Sequence, residues 1–376
     1  MAKVLIVGAG FAGAVHAREI AEAGHSVEVI DTRPHIGGNC FDSVDETGVR
    51  IHRYGPHLFH TSNQRVVDWL SRFTEWLTYE HRVVARLPDG RLVPMPVNLD
   101  TVNALFGLSL STPEEVAAQL AAVSVPRDPV VNAEDHLFST IGPELTNLFF
   151  RPYTKKMWDM DLTEMDAAVV RRLQIRTTRE AGYFTNDTFQ AMPKDGYTAI
   201  FERILDHPAI TVRLGVPFSH AMLDGYDHCF NSMAIDEFFG FAHGELPYRS
   251  IRFHTTSVPT AEASPHVTIN YTDAGPYTRE TWWHNIPGHL EASGPRVLRT
   301  VEEPCDYHDN NHERYYPVKT HDGRFDRLYR EYEAEASKLP HVTFIGRCGT
   351  YQYLDMHQVI NQSLLSAGRW IAAQPA

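Results

Sequence analysis

The start of the chain has the hydrophobic pattern of a βαβ unit. Residues 3–7 read KVLIV, an apolar run that is typical of a strand buried on both faces of a parallel sheet. A glycine-rich turn follows, and the amphipathic spacing from about Gly13 to Ala23 predicts a helix. Residues 26–31, SVEVID, predict the second strand. We therefore expect the chain to open on a parallel sheet.

The middle of the chain contains one segment with a helical pattern and one with a strand pattern. From about Asp100 to Leu148 the apolar spacing is helical, and STPEEVAAQLAAV at residues 111–123 begins with a Ser/Thr cap, a proline and two acids, as helix starts favour. From about Arg249 to Glu280 the residues alternate and are often β-branched, which favours half-buried antiparallel strands. These patterns predict a helical insert and an antiparallel-sheet lobe.

The C-terminal pattern leads back to the first unit. FDRLYREYEAEASKL predicts an amphipathic helix and VTFIG a strand, and a last helix begins near Met356. A strand and helix of this kind extend a parallel sheet, so we expect the end of the chain to pack beside its beginning.

Composition narrows the class of function. The chain has 376 residues, of which 43% are hydrophobic and 22% charged, and no apolar run is long enough for a bilayer span. A strand pattern starts by Lys3, so we expect no signal peptide, no membrane span and a cytoplasmic protein. The formal charge of -13, without a basic cluster, excludes nucleic acid as a general partner and requires a local basic pocket for any anionic ligand. The four cysteines are far apart, which argues against disulfides and a thiolate metal site.

The first turn carries a dinucleotide motif. Gly8, Gly10 and Gly13 form G-x-G-x-x-G after a strand and before a helix, where a pyrophosphate can approach bare backbone at the helix N-terminus. Asp31 ends the second strand and can accept hydrogen bonds from a ribose. Helix packing alone would also place glycines here, but the strand, the helix and the acid in the right order favour a nucleotide.

FAD is favoured over NAD by two segments at opposite ends of the chain. RPHIGGN after Asp31 resembles the basic residue and glycine pair of many FAD oxidases and desaturases, although a simple turn would look similar. FIGRCGTYQYLDMHQVI near the C-terminus places Arg347 where it could reach the pyrophosphate and the N–H groups of Asp355 and Met356 where they could face the flavin. The predicted cofactor-binding residues of these segments are Gly8, Gly10, Phe11, Ala12, Gly13, Asp31, Thr32, Arg33, Gly38, Asn39, Arg347, Asp355 and Met356.

The predicted fold class is therefore α/β, a Rossmann-like FAD-binding domain with a parallel sheet, a helical insert and an antiparallel-sheet lobe. The FAD-binding domain is expected to be discontinuous, with residues 1–80, 190–245 and 320–376. The helical domain is expected at 98–165, with a mobile loop to about 180. The antiparallel-sheet substrate domain is expected at 181–189 and 246–319.

Five longer motifs run in order along nearly the whole chain. They are RYGPHLFHT at 53–61, RPYTKKMW at 151–158, INYTDAGPYTR at 269–279, YYPV at 315–318 and YQYLDMHQVI at 351–360. Together they resemble the bacterial UDP-galactopyranose mutases. The resemblance implies a cytoplasmic flavoprotein isomerase that interconverts UDP-galactopyranose and UDP-galactofuranose for cell-wall and polysaccharide biogenesis. It also implies reduced FAD as the active cofactor and a homo-oligomer.

In the family, two arginines neutralise the diphosphate, and they match Arg172 and Arg279. A guanidinium suits two phosphate groups, and the negative net charge makes such a clamp necessary. The assignment of Arg172, on the predicted mobile loop, rests on the family's spacing from Trp158. Without the resemblance, Arg172 would read as a solvated charge beside Arg171.

The resemblance also implies a substrate-lining set in which uracil stacks on Tyr183 beside Phe184, Trp158 lies near the sugar and phenols donate to the phosphates. Any one aromatic residue taken alone would more simply belong to the core. The set comprises Tyr153, Thr154, Trp158, Tyr183, Phe184, Asn270, Arg279, Tyr316 and Tyr353.

The GPHLFH segment offers two histidines. A zinc site is disfavoured because no third ligand lies in the neighbouring motif. The resemblance places the loop against the flavin, so that His57 is expected to bind the cofactor. His60 would tune the ring by a hydrogen bond through its backbone or side chain, and it is expected to be catalytic together with Arg172 and Arg279. For His57 a structural role remains the alternative to cofactor binding.

The implied mechanism is an isomerisation without net redox change. N5 of reduced FAD attacks the anomeric carbon as UDP departs, and the sugar ring opens and recloses before UDP returns. An FAD oxidase or desaturase of the amine-oxidase type shares the glycine loop and is the alternative. It would require an apolar channel and no diphosphate clamp.

Overall fold

The computed structural model describes residues 1–171, 175–290 and 294–374. Its strands are β1 (Lys3–Val7), β2 (Ser26–Asp31), β3 (Asp42–Val44), β4 (Arg50–His52), β5 (Phe59–Thr61), β6 (Trp76–Thr78), β7 (Val83–Arg86), β8 (Leu92–Met95), β9 (Phe189–Pro193), β10 (Ile210–Leu214), β11 (His228–Asn231), β12 (Tyr248–Pro259), β13 (Thr268–Tyr271), β14 (Arg279–Trp282), β15 (Arg296–Asp306), β16 (Tyr316–Pro317) and β17 (Val342–Phe344). Its α-helices are α1 (Phe11–Glu22), α2 (Gln64–Leu70), α3 (Leu99–Phe106), α4 (Pro113–Val123), α5 (Ala133–Leu145), α6 (Arg151–Trp158), α7 (Ala168–Arg171), α8 (Tyr197–Leu205), α9 (Ile235–Phe238), α10 (Arg324–Ala336), α11 (Gly346–Gly349) and α12 (Met356–Ala372).

A parallel sheet forms the centre of the cofactor-binding body. Its order is β10-β2-β1-β11-β17, and every pairing in it is parallel. Val4, Leu5 and Ile6 of β1 are fully buried, as expected for a strand covered on both faces. The predicted Rossmann-like α/β fold is confirmed. Helix α1 starts at Phe11 rather than Gly13, because Gly10 already takes the extended cap conformation.

Two glycines fix the approach of α1 to β1. Gly8 has a positive φ of 101°, which favours glycine. A Cβ on Gly13 would lie 1.9 Å from the carbonyl oxygen of Gly8, so any side chain there would push the helix off the strand. Gly13 therefore serves close packing between helix and strand.

The helical insert comprises α3 to α6, and its starts follow from capping residues. Asn98, Thr112 and Asn132 cap α3, α4 and α5 with side-chain oxygens. A kink interrupts α5 at Gly142, where φ is 77° and a Cβ would lie 2.1 Å from the carbonyl oxygen of Val123. One π-helical turn at Thr146–Phe150 then leads into α6.

The second large sheet has the order β16-β12-β15-β14-β13-β7-β8. Its long central pair, β12 with β15, is antiparallel as predicted. One pairing within this lobe differs from the antiparallel pattern, because β13 pairs with β7 in parallel. Strands β7 and β8 come from the segment before the helical insert, which the sequence analysis had assigned to no domain. The proposed domain boundaries remain a prediction.

Among the described residues, no helix combines the length and the apolar character that crossing a membrane requires.

Candidate active site

A cavity of about 430 Å³ lies where the cofactor-binding body, the helical insert and the second large sheet meet. The 55–58 segment lines one side, α6 of the helical insert another, and β13 to β15 a third. The predicted residues that line it are His60, Tyr153, Thr154, Trp158, Tyr183, Phe184, Asn270, Arg279, Tyr316 and Tyr353, together with Asn39, His57, Arg347, Asp355 and Met356 from the cofactor set. Arg172 lies outside the described residues.

Arg279 is held by a carboxylate on the neighbouring strand. It stands directly opposite Glu302 in the register of β14 and β15, and its Nε donates to Glu302 Oε2 at 2.7 Å. Burial alone would lower the pKa of Arg279, but the Coulomb attraction of Glu302, with smaller contributions from Tyr153, Tyr316 and the Glu302 hydrogen bond, together outweighs burial and leaves that pKa raised. The guanidinium therefore stays charged, and a bond through Nε leaves its two terminal nitrogens available to an anion.

Aromatic side chains form the wall beside Arg279. Tyr316 stacks on Tyr353 with ring centroids 5.2 Å apart, and Trp158 lies 5.9 Å from Tyr316. Burial raises the pKa of Tyr153 to about 12 and also raises that of Tyr316. Both phenols therefore keep their protons near neutral pH and can donate hydrogen bonds.

Helix α6 is tied to the sheet by Lys156. The Lys156 ammonium donates to the carbonyl oxygens of Tyr271 at 3.0 Å, Asp273 at 3.0 Å and Tyr277 at 2.7 Å. Those carbonyls belong to β13 and its turn into β14, the strands that carry Asn270 and Arg279. Arg249 on β12 adds a bond from Nε to the carbonyl oxygen of Met157 at 3.0 Å. The aromatic wall on α6 is thereby fixed relative to Arg279.

His60 is oriented by two neighbours. Its ring stacks on Phe184 with centroids 3.6 Å apart, and its Nδ1 is 2.6 Å from Asp187 Oδ2. The other ring nitrogen of His60, Nε2, can form a hydrogen bond with a ligand. His81 lies close to this group, with its ring centroid 6.0 Å from that of Phe184. Burial, with a smaller effect of Arg279, lowers the pKa of His81 to about 3, so this imidazole is neutral.

The remaining predicted cofactor residues, Gly8, Gly10, Phe11, Ala12, Gly13, Asp31, Thr32, Arg33 and Gly38, surround the turn between β1 and α1 and the end of β2. The turn fits a dinucleotide. No side chain caps the N-terminus of α1, and a Cβ on Gly10 would lie 3.7 Å from the Cα of Gly38, so bare backbone borders the helix start on both sides. Asp31 accepts from the amides of Ala9 and Arg33, both at 2.8 Å, and each oxygen keeps a lone pair for a ribose.

Hydrogen bonds within the chain engage two of the predicted cofactor residues. Arg347 donates to the carbonyl oxygens of Tyr315 and Leu354, so part of its guanidinium holds the chain rather than reaching for a pyrophosphate. The N–H of Asp355 donates to Gln358 Oε1 at 2.8 Å in a capping box, and its part in binding a flavin stays a prediction.

Sequence reasoning missed Glu302, His81 and Asp187. A signal existed for Glu302, because two adjacent glutamates in an alternating strand place one of them on the buried face. No motif marks His81 or Asp187. Within the described parts of the chain, no group of three or more His, Cys, Asp or Glu side chains could hold a metal ion.

Comparison with known proteins shows which family the chain resembles. A family model described as UDP-galactopyranose mutase matches residues 148–353, and one described as an NAD(P)-binding Rossmann-like domain matches residues 6–73. The chain is 36% identical to a dTDP-fucopyranose mutase of Escherichia coli, over 99% of both chains. It is 34% identical to a probable UDP-galactopyranose mutase of Klebsiella pneumoniae, over 98% of this chain and 95% of that one. A crystal structure of reduced UDP-galactopyranose mutase superimposes with a TM-score of 0.76 at 17% identity, covering 100% of this chain and 97% of that one.

Proposed function

The chain belongs to the UDP-galactopyranose mutase family and is thus a flavoenzyme and an isomerase, and from that premise we propose that it interconverts UDP-galactopyranose and UDP-galactofuranose. The oxidase or desaturase alternative is weaker, because the full-length relatives are mutases. The observation that carries the proposal is Arg279, a charged guanidinium in a cavity lined by aromatic rings.

Two segments far apart in sequence would hold FAD. The N-terminus of α1 would take the pyrophosphate and Asp31 the ribose, and residues from Arg347 to Met356 would contribute to the flavin end of the site. When bound and reduced, FAD supplies a nucleophilic nitrogen, N5, for the anomeric carbon. The chain's own residues bind the sugar nucleotide, orient it and exclude water.

Arg279 grips the diphosphate, and Arg172, which lies outside the described residues, assists it. Charge grows on the diphosphate as the anomeric bond breaks, so a fixed guanidinium stabilises the transition state more than the ground state. The phenols of Tyr153, Tyr316 and Tyr353 donate to the same oxygens. The clamp also keeps the departed UDP in place for its return, which an isomerase requires.

The remaining substrate-lining residues divide between the base and the sugar. Tyr183 and Phe184 stack on the base, and Thr154 borders it. Trp158 and Asn270 contact the sugar, and Asn270 Oδ1 is a buried acceptor without a partner among the described residues. A sugar hydroxyl would satisfy it.

A second candidate substrate is dTDP-fucopyranose, and the 36% identity to a mutase of that sugar nucleotide favours it. Thymidine adds a methyl group and lacks a ribose hydroxyl, and fucose lacks the 6-hydroxyl. Both candidates present the same diphosphate to Arg279. The clamp therefore supports mutase chemistry for either nucleotide and leaves the choice to the base and sugar contacts.

The decisive experiment uses purified protein reduced with dithionite and follows furanose-to-pyranose conversion by chromatography. UDP-galactofuranose and dTDP-fucofuranose are compared through kcat/KM. We expect turnover of the UDP sugar, with oxidised enzyme as the inactive control. If the enzyme turned over only the dTDP sugar, dTDP-fucose would be its substrate instead of UDP-galactose. If the protein bound reducible FAD but turned over neither sugar nucleotide, the proposed function would be refuted.

A further inference from the structure

A buried pair of histidines stands behind the 55–58 segment of the cavity wall. His52, on β4, and His289 are 2% and 1% exposed. Neither lines the cavity, but His57 does. Rings of Tyr197 and Trp283 pack on His52, with centroids 5.4 and 5.1 Å away.

The hydrogen bonds around the pair allow each proton one position. The N–H of His57 donates to His52 Nδ1 at 2.9 Å, so this nitrogen is unprotonated and a neutral His52 carries its proton on Nε2. That Nε2–H donates to His289 Nε2, also at 2.9 Å. His289 then carries its proton on Nδ1, which is 3.1 Å from the carbonyl oxygen of Pro287 and donates to it. The chain of bonds runs from the segment near Pro287 to the backbone of His57.

The same logic fixes His57. Its Nδ1 is 2.8 Å from the carbonyl oxygen of Gly55, so Nδ1 carries the proton. Nε2 is left as an acceptor on a ring that lines the cavity. His57 is thus held twice, through its ring by Gly55 and through its backbone by His52.

Neutral imidazoles are what the surroundings favour. Burial lowers the pKa of His57 and of His289 to about 4, and it lowers that of His52 well below its ordinary value. Arg50, near both members of the pair, lowers these values further, while Asp42 opposes this at His289. A charged His52 would also lose its acceptor nitrogen, and with it the bond to His57.

We propose that His52 and His289 are positioning residues for the flavin, acting through a tautomer-defined hydrogen-bond relay that sets the 55–58 segment and presents His57 Nε2 as an acceptor. The inference rests on the proposed function in so far as it places FAD against this segment. Its consequence is measurable on the bound flavin itself, because the acceptor at His57 changes the polarity around the ring.

The test compares variants that keep or remove single hydrogen-bonding atoms. His52→Asn keeps an acceptor at the δ1 position but loses the donor to His289, whereas His52→Phe loses both. His289→Gln keeps an acceptor at the ε position, and His289→Phe removes it. His228→Phe is the matched control, since His228 is a buried histidine of the parallel sheet whose partner is Thr343, away from the cavity.

The readouts are the absorbance spectrum and reduction midpoint of bound FAD, the dissociation constant for FAD, melting temperature, and kcat and KM. We expect His52→Phe to shift the flavin spectrum and midpoint and to lower kcat about tenfold with KM within about twofold. His52→Asn should restore most of this, and His289→Phe should fall between the two.

An unchanged flavin spectrum and midpoint in both His52→Phe and His289→Phe, with only the loss of melting temperature seen in His228→Phe, would overturn the relay. If the phenylalanine variants do not fold, His52→Asn and His289→Gln test the relay instead. An altered flavin midpoint in His289→Gln together with an unaltered one in His52→Asn would contradict the proposed order of donors. Altered flavin signals in a protein that isomerises neither sugar nucleotide would refute the function and leave the relay standing.

Discussion

At the scale of single residues, the pairing of Arg279 with Glu302 determines how the cavity receives a diphosphate. The pair is neutral as a whole, so it offers directed hydrogen bonds rather than a net positive field. Because the protein carries a formal charge of -13, the remaining attraction has to come from further cations nearby. Arg347 lines the same cavity, and Arg172 is the other proposed contributor.

Replacing Arg279 tests the clamp directly. Arg279→Ala should lower kcat/KM roughly a hundredfold or more, about 3 kcal/mol, because Glu302 is then left buried and repels the diphosphate. Arg279→Lys should rescue only part, since an ammonium cannot bond two oxygens in one plane. Turnover with reduced enzyme and UDP titration provide the measurement, and FAD content should be unchanged. Near-normal turnover of Arg279→Ala would rule out the clamp.

What the sequence reveals at this scale depends on how each side chain reaches the site. Tyr153 and Trp158 lie in a contiguous motif, so a motif comparison predicts them together. Glu302 and His81 reach the cavity through strand register and the packing of separate segments, which one sequence does not encode locally. The structure alone brings them beside Arg279.

At the scale of elements, the tie between α6 and the β13–β14 turn sets the width of the cavity. Lys156 uses all three of its protons on backbone carbonyls of that turn, while Arg249 holds the C-terminal end of the same helix. Bonds from a charged donor to several acceptors are among the stronger ones in proteins. The helix and the sheet therefore behave as one wall.

Lys156→Met should separate the aromatic residues of α6 from Arg279 and weaken UDP binding about tenfold, or about 1.4 kcal/mol. The matched control is Lys155→Met, which removes an exposed lysine from the same helix. Isothermal titration with UDP gives the affinity, and the flavin spectrum reports on the cofactor site. Equal affinities for the two variants would show that the tie does not shape the site.

The elements themselves were largely predictable, while their pairing was not. The cap at Thr112 and the apolar run of β1 are local signals. Helix α4 and strand β1 form where these signals predict them. The parallel pairing of β13 with β7 joins segments far apart in sequence. Such pairings depend on tertiary packing between distant segments, which no local sequence pattern encodes.

At the scale of the whole molecule, buried neutral imidazoles make stability depend on pH. Burial lowers the pKa of His16 and His57 to about 4 and that of His81 to about 3, and His52 and His289 are lowered as well. In the unfolded chain these groups titrate near their ordinary value of about 6.5. The unfolded state therefore binds more protons at acid pH.

Stability should be fully present above about pH 6.5 and fall as the pH drops from there towards 4. At pH 5.5 each such histidine lowers the free energy of unfolding by on the order of 1 kcal/mol. Together these histidines lower it by several kcal/mol, on the order of 1 kcal/mol each. Urea melts between pH 8 and 5 provide the measurement. His308 opposes this slightly, because its bond to Asp306 raises its pKa. A free energy of unfolding that stays constant down to pH 5 would contradict the prediction.

The packing of α12 against α1 joins the two ends of the chain, and it has a consequence for biosynthesis. Ile360 and Leu364 of α12 share a core with Ala17 and Ile20 of α1. A ribosome synthesises α12 long after α1, so the emerging chain carries α1 with an uncovered apolar face, and half of its FAD cradle, until α12 has been made. Flavin capture should therefore be a post-translational event. A nascent chain stalled after Pro340 should retain no FAD and should bind chaperones, whereas the full-length chain, once released, should turn yellow.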